Sequence, residues 1–156
     1  MCVLGIDQSL TSSGICIIEN DTIKHFTCIK TKKDDGDIFD RSLIIINELE
    51  QLVIEHNVSK ITIEGLPFNM RSNVTRDLAG LQAVIICHCK LKFNITPQII
   101  PPKQLKKFAT ESGNAKKEDM VEALPEEYRN SIFDAGYKKS TGLYDLADAY
   151  FLAKCA

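Results

Sequence analysis

Four carboxylates lie in segments that otherwise read as protein core. Asp7 closes the apolar run Val3-Leu4-Gly5-Ile6, Glu64 closes Ile61-Thr62-Ile63, and Asp145 and Asp148 stand three apart in an apolar stretch near the C-terminus. An unpaired carboxylate is costly to bury. The chain must therefore fold so that these ends meet positive charge. Each acid also has an ordinary explanation. Asp7 can cap a turn, Glu64 can point to water from a strand end, and Asp145 suits the first turn of a helix. Asp148 is harder to dismiss, because Leu146, Ala147, Ala149, Phe151 and Leu152 surround it. All four being ordinary at once is the weaker reading.

The pattern of apolar residues supplies the frame. Residues 2–7, 15–19 and 22–30 read as strands, separated by the small polar turn Gln8 to Gly14 and by Asn20-Asp21. Phe39 to His56 has helical spacing, with Leu43, Ile46, Leu49, Val53 and Ile54 as its apolar face. Ile61 to Ile63 is a strand reached by crossover, which implies parallel pairing with the first strand. A second long helix is expected over Val74 to Lys90, with Leu78, Leu81, Gln82, Ile85 and Cys89 on one face and Gly80 allowing close approach of another element. Ile95 to Ile100 reads as a strand, and Lys103 to Ala109, Lys116 to Ala123 and Tyr144 to Cys155 as helices. Three antiparallel strands followed by strands alternating with helices give an α/β fold: a mixed five-stranded sheet flanked by helices. The 156 residues suit a single domain, 1–156.

If the first and fourth strands are neighbours, Asp7 and Glu64 end at one edge of the sheet. An i, i+3 pair on the last helix, Asp145 and Asp148, can face them. Four oxygen donors suit Mg²⁺ or Mn²⁺, and two such ions suit phosphoryl transfer.

Charge distribution adds a substrate class. The net charge of −2 argues against general polyanion binding, yet residues 103–117 hold Lys103, Lys106, Lys107, Lys116 and Lys117 against one acid, Glu111. Acids beside a basic strip fit an enzyme acting on a phosphate backbone. The six cysteines sit mostly in apolar stretches and read as free thiols. Cys87-His88-Cys89 lacks the second pair a zinc site needs. No apolar run is long enough to span a membrane and no signal peptide is evident, so a cytoplasmic location is expected, or the host cytoplasm for a viral protein.

These residues resemble the RuvC family of Holliday-junction resolvases, which have the RNase H-like fold. The opening Leu4-Gly5-Ile6-Asp7-Gln8-Ser9-Leu10-Thr11-Ser12-Ser13-Gly14 is similar to the family's first strand and turn. Ile63-Glu64 fits its next acid, and Leu78-Ala79-Gly80-Leu81-Gln82-Ala83 its helix signature. Pro101-Pro102-Lys103 and Gly113-Asn114-Ala115-Lys116-Lys117 fit its basic segments, and Asp145-Leu146-Ala147-Asp148-Ala149 its closing motif. The first motif alone is shared with sugar kinases and actin-like ATPases, but this chain lacks their second phosphate loop. Some family members carry a histidine in the closing motif, where this chain has Tyr144-Asp145.

The resemblance implies a Mg²⁺-dependent endonuclease (Mn²⁺ substituting, two ions per site) that cuts four-way or otherwise branched DNA symmetrically and leaves 5′-phosphate and 3′-hydroxyl ends. It makes Asp7, Glu64, Asp145 and Asp148 the catalytic, metal-binding acids. It gives Lys103, Lys106, Lys107, Lys116 and Lys117 to DNA phosphates or the transition-state charge, places Phe68 at the junction centre, and puts Arg71 and Arg76 near phosphate. It also implies a homodimer through the helix around Gly80, with no membrane and no nucleotide cofactor, and a phage or viral-type member is compatible with it. The alternatives on residues alone are another RNase H-like nuclease, for example one acting on RNA, and a non-catalytic DNA-binding or structural relative.

Overall fold

Apolar runs joined by a small polar turn and by the left-handed turn Asn20-Asp21 begin the chain as a meander. The computed structural model describes residues 1–66 and 73–156. Strand β1 (Cys2–Asp7) pairs antiparallel with β2 (Ser12–Glu19), and β2 with β3 (Thr22–Lys30). Asn20 and Asp21 both have positive φ, as a tight primed turn requires, and both residue types tolerate it. A 3₁₀ turn (Lys33–Asp35) leads to α1 (Ile38–Glu55), whose N-cap Asp37 accepts from the backbone N–H groups of Phe39 and Asp40. Strand β4 (Lys60–Glu64) then pairs parallel with β1 on its other side. After α2 (Asn73–Phe93), β5 (Gln98–Ile100) pairs parallel with β4. The sheet order is β3-β2-β1-β4-β5. Four helices follow: α3 (Pro102–Thr110), α4 (Lys117–Glu122), α5 (Glu126–Asp134) and α6 (Leu143–Lys154).

The expected mixed sheet is present, with four local differences. Strand β5 has three residues instead of six, because Asn94 turns with positive φ and Pro97 lacks the N–H a ladder needs. Helix α5 falls where no helix is read from sequence; it is short and buries only Tyr128 and Ile132. The apolar face of α1 is rotated: Ser42, Ile45, Ile46, Leu49, Leu52 and Val53 are buried, while Leu43 and Ile54 are exposed. Gly80 does not receive a neighbouring element. A Cβ built there meets nothing within 4 Å.

Each face of the sheet carries its own core. One side packs Leu4, Ile6, Ile15, Ile17, Ile61 and Ile63 against α1 and α2. The other packs Val3, Cys16, Ile18 and Ile100 against α3 to α6. Fully burying each such aliphatic side chain contributes about 1.5–3 kcal/mol. All six cysteines are free: Cys2, Cys16 and Cys89 are buried, and Cys87 is exposed. Cys87 and Cys89 therefore diverge from one another on α2. No helix among the described residues is long and apolar enough to cross a membrane.

Candidate active site

Parallel pairing of β1 with β4 sets Ile6 opposite Ile63, so Asp7 and Glu64 leave adjacent strands at the same end. Helix α6 lies on the sheet over this end because two strand glycines let it approach. A Cβ on Gly5 would collide with the backbone of Ala149 and Ala153, and one on Gly14 with the backbone of Asp145. The docking is tied by Thr62, fully buried on β4, whose hydroxyl donates to the Leu152 carbonyl at 2.6 Å. Close docking of α6 brings Asp145 and Asp148 to Asp7 and Glu64.

The four acids act on one another. Contact between the Asp7 and Glu64 carboxyls raises Asp7 and partly offsets the rise that burial causes at Glu64. Burial, then the charges of Glu64, Asp148 and Asp145, holds the Asp7 carboxyl well above the usual carboxylate range. Burial also raises Glu64, against the pull of Lys106 and Lys117. Asp148 is pushed up to about 7, first by burial and then by Glu64. Half-buried carboxyls crowded together with little countercharge behave this way. The Asp145 Oδ2 is fixed by Ser12, whose hydroxyl donates to it at 2.7 Å.

Backbone positions are held just as closely. The Glu64 carbonyl accepts from Gln8 Nε2 at 3.2 Å and from Gln82 Nε2 at 3.1 Å, which ties β1, β4 and α2 together beside the acids. Gln8 Oε1 is buried with no hydrogen-bond partner among the described residues. The turn after Asp7 is locked by Ser13, which donates to the Ser9 carbonyl at 2.6 Å and accepts from the Ser9 N–H at 3.0 Å.

Among the described residues, no three His, Cys, Asp or Glu side chains already stand at ligand spacing. The donor set nonetheless suits a hard cation. It consists of carboxyls on strand ends and one helix face, three of them raised above the ordinary carboxylate range, and a divalent ion would displace bound protons and quench the mutual repulsion.

The lysine strip divides in two. Lys106 on α3 and Lys117 at the start of α4 both act on Glu64 and Asp148. Lys103, Lys107 and Lys116 are exposed, on the first and last turns of α3 and at the N-cap of α4. The loop between those helices folds back so that Gly113 approaches the Lys103 carbonyl. Arg76 is exposed on α2, and Phe68 and Arg71 lie outside the described residues. Sequence reading did not assign roles to Gly5, Gly14, Thr62, Ser12, Gln8 or Gln82. For the glycines a signal existed, since glycine inside a strand marks close backbone approach. For the hydrogen-bonding residues none did.

The family model described as Crossover junction endodeoxyribonuclease RuvC matches residues 3–128. That span includes Asp7, Glu64 and the lysine strip and ends before Asp145 and Asp148. The Rickettsia felis crossover junction endodeoxyribonuclease RuvC is 28% identical over 128 residues, covering 80% of this chain and 81% of its own. The Prochlorococcus marinus protein of that name is 29% identical over 137 residues, covering 85% of this chain and 86% of its own. Among solved structures, Thermus thermophilus RuvC in complex with a Holliday junction substrate superposes with a TM-score of 0.77 at 18% identity, over 98% of this chain and 90% of that one.

Proposed function

The chain belongs to the RuvC family of crossover junction endodeoxyribonucleases, and we propose on that premise that it resolves Holliday junctions and other branched DNA by metal-dependent hydrolysis at the Asp7, Glu64, Asp145 and Asp148 cluster. The observation that carries the reading is the convergence of the ends of β1 and β4 with one face of the closely docked α6, where Asp7, Glu64 and Asp148 are all raised above the ordinary carboxylate range. Four carboxyls so crowded are a poor way to build a stable core and a good way to hold Mg²⁺.

Asp7, Glu64 and Asp148 would hold the ions, with Asp145 completing the set under the restraint of Ser12. When bound, hard divalent cations supply Lewis acidity at the phosphoryl oxygens, and two of them can serve both the attacking and the leaving oxygen. The chain's own residues do the rest. Gln8 and Gln82 fix the Glu64 backbone. Lys106 and Lys117 bring positive charge to the rim of the cluster, where they hold the scissile phosphate and offset charge developing in the transition state. Lys103, Lys107, Lys116 and Arg76 are exposed and would extend the DNA surface; Phe68 and Arg71, outside the described residues, are given DNA contacts by family resemblance alone.

A second copy of the chain completes this reading. The outward side of α2 presents Arg76, Gly80, Ala83 and Cys87, all exposed, and Gly80 leaves open space for another helix. A two-fold dimer through this side matches a two-fold junction with two cuts. Oxidative cross-linking through Cys87, read on a denaturing gel, should trap the dimer; sedimentation as a monomer with full resolving activity discards it.

The function is tested by presenting a labelled four-way junction, a flap, a linear duplex and an RNA–DNA hybrid side by side with Mg²⁺. Paired symmetric cuts in the junction are expected. Preferential cutting of the hybrid would overturn the reading.

A further inference from the structure

Lys117 has a long, exposed side chain at the first position of a six-residue helix. Left to itself it would sample many rotamers and place its charge poorly at any one atom. Yet its ammonium acts on both Glu64 and Asp148. It makes no ion pair within 4 Å with an acid among the described residues, so another contact must direct it toward them. Its Nζ stands 5.5 Å from the centroid of the Tyr144 ring. Tyr144 is the second residue of α6, directly before Asp145.

The ring is itself fixed. The Tyr144 hydroxyl donates to Glu118 Oε1 at 2.7 Å, and the Lys139 ammonium lies 3.8 Å from that same oxygen. The buried Leu143 precedes it on the helix. The hydrogen bond draws the Glu118 carboxyl below its ordinary range, which keeps it ionised and an acceptor. Glu118 follows Lys117 on α4, so the carboxylate and the ammonium of consecutive residues grip Tyr144 at its two chemically distinct sites, the hydroxyl and the π-face. An aromatic face attracts an ammonium without neutralising it. A carboxylate in the same place would hold Lys117 more firmly but would cancel the charge the cluster and the substrate phosphate need.

We propose that Tyr144 is a positioning residue for cleavage: its ring is a shelf that holds the Lys117 ammonium at the carboxylate cluster, and its hydroxyl bond to Glu118 fixes the shelf. The inference rests on the reading of the cluster and its lysines given above. The plain alternative is that Tyr144 only ties α4 to α6.

Single-turnover cleavage of a four-way junction, with junction binding and melting temperature measured for each variant, separates the two. Tyr144→Leu should slow strand cutting roughly fivefold, the scale of an exposed cation–π interaction, with binding unchanged. Tyr144→Phe keeps the ring and should recover most of the rate. In a Lys117→Ala background, Tyr144→Leu should have no additional effect, because the shelf then has nothing to hold. An equal slowing in both backgrounds, or a Phe variant as slow as the Leu variant, overturns the proposal. A Lys117→Ala variant that cuts at the normal rate overturns it differently, by removing Lys117 from the site itself.

Discussion

The two faces of the sheet are packed by different rules. On the α1–α2 face, helices cover the strands through ordinary aliphatic interdigitation, and their outer sides keep Phe39, Leu43, Ile54, Val74 and Leu91 in solvent. On the α6 face, one helix is buried along almost its whole length, approaches over two glycines, and is tied through Thr62. The first arrangement tolerates adjustment, because side chains can repack. The second does not, because backbone meets backbone. The proposed chemistry sits on the second face, where a shift of α6 would carry Asp145 and Asp148 away from Asp7 and Glu64. The first face offers what a partner surface needs, an accessible helix side with room at Gly80.

Substitutions sharpen this contrast. The largest expected effect is at the acids. Asp7→Asn should lower junction cleavage by roughly 100-fold or more while junction binding persists, checked by cleavage and mobility-shift assays on the same preparation. Cleavage that survives would remove the metal-site reading.

The glycines come next. Gly5→Ala or Gly14→Ala forces α6 off the sheet and should cost about 1–3 kcal/mol or more in denaturant unfolding, with loss of cleavage. Gly80→Ala on the other face adds a methyl to open space and should raise helix stability by up to ~1 kcal/mol. Equal tolerance at Gly5 and Gly80 would show that α6 does not need its close backbone approach.

The pH dependence of stability tests the crowding of the acids. Asp148 titrates near 7 in the folded protein, and Asp7 is also raised, whereas unfolded aspartates titrate near 3.9. Below about pH 4 both states are protonated and no slope arises. Between about 4 and 7 the folded state holds more protons, so the metal-free protein should lose stability as pH rises, by on the order of a few kcal/mol. Thermal melts across this range should show the decline, and Asp148→Asn should flatten it. A metal-free protein whose stability rises through that window would contradict the cluster. A smaller effect is expected at the rim. Lys116→Ala combined with Lys117→Ala should make junction binding less sensitive to salt, the slope of log affinity against log salt falling by about 1 for each phosphate no longer held.

Much of this was legible in the sequence. The meander and the existence of α1 follow from apolar runs, helical spacing and turn residues such as Asn20 and Asp21, and the parallel pairing of β4 from the helix that precedes it. The four acids stood out because they interrupt apolar runs. Helix α5 did not stand out, because Tyr128 and Ile132 alone are too few to show a period. The buried side of α1 is not legible from sequence, because Leu43, Ile44, Ile45 and Ile46 offer apolar residues in nearly every direction and only the sheet decides between them. The amide grip of Gln8 and Gln82 on the Glu64 carbonyl, and the bond from Ser12 to Asp145, join residues 18 to 133 positions apart. No local pattern encodes such pairings; they follow from the fold.

The proposed function turns on the four acids being a metal site whose raised carboxyls carry protons where no ion is bound. Titration calorimetry with Mg²⁺ or Mn²⁺, repeated in buffers of different ionisation enthalpy, counts the protons released on binding. Release on the order of one proton is expected near pH 6, falling away toward pH 9, and lost with binding in Asp7→Asn. Ion binding with no proton release at any pH, or binding undiminished in Asp7→Asn, would contradict it.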